Sequence, residues 1–294
     1  MTELEFSKIL YDDIKLVEKA LVEFLPKCKY SQDEVVDAMK YSLSNGGKRL
    51  RPVFCLEFAK CLGLDKEKAL PFACAVEYIH TYSLIHDDLP CMDNDDFRRG
   101  KPSCHKMFGE TTALLAGDAL LTHAFSIVTE CDLSEDKIVK AVTLLSKNSG
   151  VEGMIGGQVL DLKYEKNDPT LSQLLSVHQL KTSALIELSC LLGCIAGGAN
   201  DSQIESASKF ANDLGIAFQI KDDILDVIGD AQKLGKPIGS DAENNKITYV
   251  SLVGLEKAQE DVEALTNSAN LMLSNFENAE FLKMLSNKLV HREN

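Results

Sequence analysis

The sequence predicts an all-α protein, a single-domain bundle of more than four helices. Three observations carry this. Apolar residues recur at steps of three and four: Ala69, Phe72, Val76, Ile79 and Ser83 form one stripe, and Ala207, Ala211, Leu214, Phe218, Asp222 and Leu225 form another. Convincing strand alternation is absent. Leu and Ala are plentiful, whereas aromatics make up 6% and Trp is missing.

Breakers divide the helical pattern in order. They are Pro26, the Asn45-Gly46-Gly47 turn, Gly63, a loop over 94–104, Asn167-Asp168-Pro169, Gly197-Gly198 and a loop near 229–245. About ten helices are expected between them. The 294 residues, 45% of them apolar, are ample for a sizeable core. No Pro/Ser-rich tract, low-complexity run or long charge block marks a linker, so one domain is expected over 1–294.

Composition restricts function. A net charge of −14 argues against nucleic acid, which needs a basic face to displace its counterions. Nine cysteines are scattered without a CxxC pair, Cys190 and Cys194 being the nearest approach, which suits a reduced, cytoplasmic protein. The start, MTELEFSKILYDD, is acidic and lacks an apolar signal core. The longest apolar stretch, around 183–200, is interrupted by Glu187 and Asn200, so no membrane span is expected.

Two acidic clusters stand out. DDLPCMDNDD, 87–96, sets Asp87 and Asp88 in the last turn of a helix, because Pro90 turns Leu89 away from helical geometry. Asp93 reaches back from the following turn. Acids at a helix C-terminus oppose its partial negative charge unless a cation compensates. In the second cluster, FQIKDDILD, Gln219, Asp222, Asp223 and Asp226 share one helical face at i, i+3, i+4 and i+7. Mg²⁺ fits such oxygens and leaves sites for water and phosphate. Packed side by side, the two helices would hold two or three Mg²⁺ ions between facing carboxylates.

Cations accompany the acids. GGKRLRP, 46–52, offers Lys48, Arg49 and Arg51 after a double glycine, and Arg98 and Arg99 follow the first cluster. Lys181-Thr182, Lys236 and Lys246 fall in or beside expected loops. Arginine forks suit phosphate oxygens, and lysine supplies a point charge. The combination indicates a diphosphate site. His80 lies two turns before Asp87 on the same face. Gly156-Gly157-Gln158 with Asp161 permits close helix approach, and Gln158 and Asp161 are candidates to face the site. P-loop, GxSxG, GxGxxG and Cys/His zinc patterns are absent.

With these residues in order, the chain resembles the short-chain trans-prenyl diphosphate synthases, closest to the bacterial farnesyl type. The matching segments are GGKRLRP at 46, HTYSLIHDDLPCMDNDDFRRGKPSCH at 80, GGQVLDL at 156, HQLKTSALI at 178, FQIKDDILDV at 218 and LGKPIGSD at 234. The resemblance implies an isoprenoid synthase fold around a central cavity, and a homodimer. It implies that Asp87, Asp88, Asp93, Asp222, Asp223 and Asp226 bind Mg²⁺ on an allylic diphosphate. It implies that Lys48, Arg51, His80 and Arg99 hold isopentenyl diphosphate, and that Arg98, Lys181, Thr182, Gln219 and Lys236 hold the allylic partner, dimethylallyl or geranyl diphosphate. Thr182, Gln219 and the lysines would face the allylic cation. Arg292 in the short basic tail is a candidate for site closure.

Tyr82, five residues before Asp87 and about 7.5 Å along the helix axis, is the expected floor for the growing chain, with small Ser83 beside it. That arrangement resembles the farnesyl type, a C15 product. Cys91 and Asn94 also resemble the geranylgeranyl-forming branch, a C20 product. A terpene cyclase shares the metal chemistry but would leave Lys48 and Arg51 without a role.

Overall fold

A computed structural model describes residues 1–164, 167–228 and 247–292. Among the described residues the protein is all-α, apart from one two-residue strand pair, and it forms two compact units. The first comprises 2–145 with 195–198, and the second 146–194 with 199–292 and Met1.

In the first unit, α1 (Glu3–Glu23) starts from a capping box in which Thr2 and Glu5 satisfy each other's backbone N–H groups. Then come α2 (Asp33–Ser44), α3 (Leu50–Cys61), α4 (Lys66–Asp87), the one-turn α5 (Cys104–Phe108), α6 (Glu110–Thr129) and most of α7 (Glu135–Ser149). Helix α4 is apolar nearly all round. Ala69, Phe72, Ala73, Val76 and Ile79 are fully buried, as expected for a central helix. It packs on α6, whose buried seam of Ala113, Ala116, Gly117, Leu120 and Ala124 has little bulk and lets the two backbones approach.

The loop over 94–104 contains a hairpin, β1 (Phe97–Arg98) paired antiparallel with β2 (Lys101–Pro102). Arg99 and Gly100 both have positive φ, 54° and 75°, as a two-residue hairpin turn of this hand requires.

The second unit begins with α8 (Met154–Tyr164). Helix α9 (Leu171–Val177), a π-helical turn (His178–Ser183) and α10 (Ala184–Gly197) then form one continuous helical run. The long α11 (Asp201–Ile228) follows, then α12 (Tyr249–Val253), α13 (Leu255–Met272), a 3₁₀ turn (Leu273–Asn275) and α14 (Glu280–Val290). Helix α11 packs along α13, burying Phe210, Ala211 and Leu214 on one side and Val262, Thr266 and Ala269 on the other.

The described residues therefore hold fourteen α-helices rather than about ten. The excess comes partly from one-turn helices such as α5 and α12, too short for periodicity to register. Two helical stretches, 110–129 and 171–197, are long and apolar enough to cross a membrane by length and composition. The most apolar window of the second is 72% buried, the mark of a core helix, while that of the first is 39% buried, leaving Leu114 and Leu115 exposed.

Candidate active site

Helix α4 stops at Asp87, and Asp88 caps it. The chain then doubles back. The Asp93 N–H donates to the Asp87 carbonyl at 2.9 Å, and Asn94, at φ 55°, donates to the Leu89 carbonyl at 3.2 Å. This turn sets the exposed Asp93 beside the last helical residue, the half-buried Asp87. Asp88 is buried and accepts from Arg98 Nε at 2.9 Å and from Nη2. Burial pushes the Asp88 carboxyl above its ordinary pKa, against the pull of Arg98. Arg98 also reaches Asp95 at 3.2 Å. Its fork thus lies on Asp88 and Asp95, beside the first acidic cluster.

The expected isopentenyl cations gather in the same unit. Gly46 and Gly47 have φ of 83° and 128°, a path that side chains resist. Arg99 Nη1 donates to the Gly46 carbonyl, and a Cβ at Gly47 would lie 2.6–2.9 Å from the Arg99 guanidinium. Arg49, at φ 49°, turns inward to a fully buried ion pair with Glu77, Nη1 to Oε1 at 2.6 Å, and also donates to the Leu43 carbonyl. With Arg49 anchored, Lys48 is left exposed and Arg51 half-buried.

Arg51 Nη1 lies 3.4 Å from His80 Nε2. Burial, followed by the fields of Arg51, Arg99, Arg49 and Arg98, holds the His80 pKa well below its ordinary value. The ring is neutral, so Nε2 accepts from the guanidinium. Arg51 Nε is buried and has no hydrogen-bond partner among the described residues. Glu77 is the carboxylate in this cluster, and Arg49 already holds it. The excess positive charge suits an oxyanion.

Tyr82 is 5% exposed and packs edge-on against the ring of His86, centroids 5.7 Å apart. Burial and then Asp87 push its phenol pKa up to about 12. Ser83 Oγ donates to the His80 carbonyl at 2.8 Å, which keeps that small side chain close to its own helix.

In the second unit the π-helical turn carries Lys181 and Thr182. Such turns are rare and concentrate at functional positions. Two glycines hold this one. A Cβ at Gly157 would stand 2.6 Å from Leu180 C and Lys181 Cα, and a Cβ at Gly215 would stand 2.6 Å from Ser183 Cβ. Lys181 Nζ pairs with Asp161 Oδ2 at 2.5 Å, and Gln158 is half-buried on the same α8.

The acidic face of α11 lies where its spacing indicated, though its members differ in partners. Gln219 Nε2 donates to Asp222 Oδ2 at 3.4 Å. Asp223 Oδ2 accepts the Tyr249 N–H at 2.6 Å, and Asp226 is buried. Asp222 also pairs with Arg292, whose guanidinium stacks 3.9 Å from the Phe218 ring centroid. Lys236 and Lys246 lie outside the described residues.

Among the described residues, no three acidic, Cys or His side chains already form a metal cage. The donors nevertheless fit Mg²⁺, which binds through one or two carboxylates and takes its remaining oxygens from water and phosphate. Several residues at the site carry no signal of their own in the sequence: Glu77 as the partner of Arg49, His86, Gly117, Gly215 and Tyr249. Their roles depend on contacts distant in sequence. Only the double-glycine turn gave a local signal, for the inward path of Arg49.

An all-α fold with acidic helix ends and clustered guanidiniums is the arrangement expected of an enzyme that handles diphosphates with divalent metal. The polyprenyl synthetase model matches residues 32–288, which run through both units. The farnesyl diphosphate synthase of Geobacillus stearothermophilus is 45% identical over 94% of this chain and 93% of its own. The chloroplastic heterodimeric geranylgeranyl pyrophosphate synthase large subunit 1 of Arabidopsis thaliana is also 45% identical, over 100% of this chain and 81% of its own. A crystal structure of an FPP/GFPP synthase from Zymomonas mobilis superposes with a TM-score of 0.88 at 35% identity, covering 98% of this chain and 100% of that one. This chain belongs to the polyprenyl synthetase family. It is a transferase acting on isoprenoid diphosphates, in a family that depends on divalent metal in general.

Proposed function

We propose that this protein condenses isopentenyl diphosphate with dimethylallyl diphosphate and then with geranyl diphosphate, releasing (2E,6E)-farnesyl diphosphate. The observation that carries the C15 assignment is Tyr82, a ring buried on α4 one residue more than a full turn before Asp87. A chain extending from the acidic helix end meets that ring.

Lys48, Arg51 and Arg99 bind the isopentenyl diphosphate, and neutral His80 orients Arg51. Lys181, held by Asp161, offers charge to the allylic diphosphate, joined by Lys236. Asp87, Asp88, Asp93, Asp222, Asp223 and Asp226 are the carboxylates for two or three Mg²⁺ ions. Held there, Mg²⁺ would supply the positive charge that a departing diphosphate needs. Thr182 and Gln219 direct oxygen dipoles to the allylic cation, the isopentenyl double bond attacks it, and the released diphosphate takes the proton. No protein nucleophile is required. The protein works as a cytoplasmic homodimer with one synthase domain.

A C20 product is the second reading, favoured by Cys91 and Asn94 in the acidic motif and by the likeness to the Arabidopsis protein. A terpene cyclase would leave the cluster around Lys48, Arg51 and Arg99 unused. Chromatography of dephosphorylated products from isopentenyl and dimethylallyl diphosphates with Mg²⁺ separates these readings. Farnesol is expected as the main product; geranylgeraniol or a cyclic hydrocarbon would overturn the assignment.

A further inference from the structure

A floor at Tyr82 works only if its ring is held in place. The Tyr82 hydroxyl is buried and has no hydrogen-bond partner among the described residues, so packing must hold the ring. One wall of that packing is His86, one turn further along α4, which meets Tyr82 edge-on with an interplanar angle of 77°.

His86 is itself pinned from α6. Its Nε2–H donates to the Leu114 carbonyl at 3.0 Å, and Asp118 Oδ1 lies 3.9 Å from the same nitrogen. The ring fits there because residue 117 is glycine. A Cβ at Gly117 would stand 2.9 Å from His86 Cε1 and closer still to Nε2 and Cδ2. Gly117 has no positive φ to explain it, and glycine costs about 1 kcal/mol relative to alanine inside a helix. Room for the imidazole is the feature that accounts for it.

We infer that His86 and Gly117 are positioning residues for product length. Gly117 admits the His86 ring, the Leu114 carbonyl orients it, and its face holds the Tyr82 floor in place. This rests on Tyr82 being that floor. Removing the imidazole or displacing it with a methyl frees Tyr82 to swing aside, and longer chains follow.

The test compares products of wild type, Tyr82→Ala, His86→Ala, Gly117→Ala and the His86→Ala/Gly117→Ala double variant, with melting temperatures recorded for each. The C20:C15 ratio should rise about tenfold or more in His86→Ala and in Gly117→Ala, the scale on which a methylene-sized misfit alters discrimination in an apolar pocket. The double variant should move less than the two ratios multiplied, since the new methyl occupies space the ring has left. A merely structural role would lower stability and total turnover without changing the ratio. If Gly117→Ala fails to fold, His86→Ala decides. An unchanged ratio in His86→Ala, alongside lengthening in Tyr82→Ala, overturns the inference and leaves the floor standing. A Tyr82→Ala enzyme still stopping at C15, or a wild type that makes C20, removes both together.

Discussion

Replacing Glu77 by alanine takes away the carboxylate that Arg49 Nη1 reaches at 2.6 Å. The two side chains are 1% and 2% exposed, so water cannot replace the lost partner. The Leu43 carbonyl still accepts from Nη2, but it carries no full charge. Breaking a buried pair from one side costs about 3–5 kcal/mol, because the surviving charge stays desolvated. A typical fold is stable by about 5–15 kcal/mol, so the loss is a large fraction of the whole. Removing both charges, as in Arg49→Met/Glu77→Leu, avoids that penalty and is close to neutral. Urea titration of the wild type, Glu77→Ala and the double variant measures the difference. A single variant losing less than about 1 kcal/mol, the range of an exposed pair, would show that the pair is not a desolvated one. So would a double variant as weak as the single.

Other outcomes follow from the same geometry. Lys66 donates to both Asp13 and Glu57, two buried carboxylates sharing one ammonium, and Lys60 reaches Glu57 at 3.3 Å. Burial pushes the Asp13 carboxyl up to about 7, so the folded chain keeps a proton that the unfolded chain loses near pH 4. The contribution is therefore most favourable in acid and declines as pH rises from about 4 to about 7; melting temperatures against pH should show that slope, and Asp13→Asn should flatten it. Gly215→Ala should displace Ser183 and the π-helical turn, lowering turnover, and Ser183→Gly in the same chain should restore much of it; absence of rescue contradicts the clamp. Lys48→Ala and Arg99→Ala should chiefly raise KM for isopentenyl diphosphate, whereas Lys181→Ala slows reaction of the allylic partner. An unchanged isopentenyl KM in both of the first two denies that division.

The parts of this protein legible in the sequence are those set by local spacing. The i, i+3, i+4 and i+7 positions of Gln219, Asp222, Asp223 and Asp226 share a face because a helix imposes it. Pro90 ends α4 near Asp87 through its own ring. Partnerships between distant residues were not legible. Arg98 looks like a free cation beside an acidic run, yet the hairpin turn at Arg99-Gly100 brings it back onto Asp88. Arg292 is 70 residues from Asp222 and meets it only after α13 and α14 have returned the chain. The π-helical turn has no periodicity of its own; the close approach of Gly157 and Gly215 marks it. Glu77 reads as one more residue on an apolar helix until Arg49, 28 residues earlier, is seen to turn inward.

In the proposed function, the acidic ends of α4 and α11 carry metal-dependent prenyl transfer. Turnover of isopentenyl and dimethylallyl diphosphates, titrated with Mg²⁺ in wild type, Asp87→Ala and Asp222→Ala, tests it most directly. No condensation is expected without divalent metal, and each variant should lose at least about 10²-fold at saturating Mg²⁺, the scale of removing a principal electrostatic stabiliser. Near-normal turnover in both variants, or condensation that persists in chelator, would contradict it.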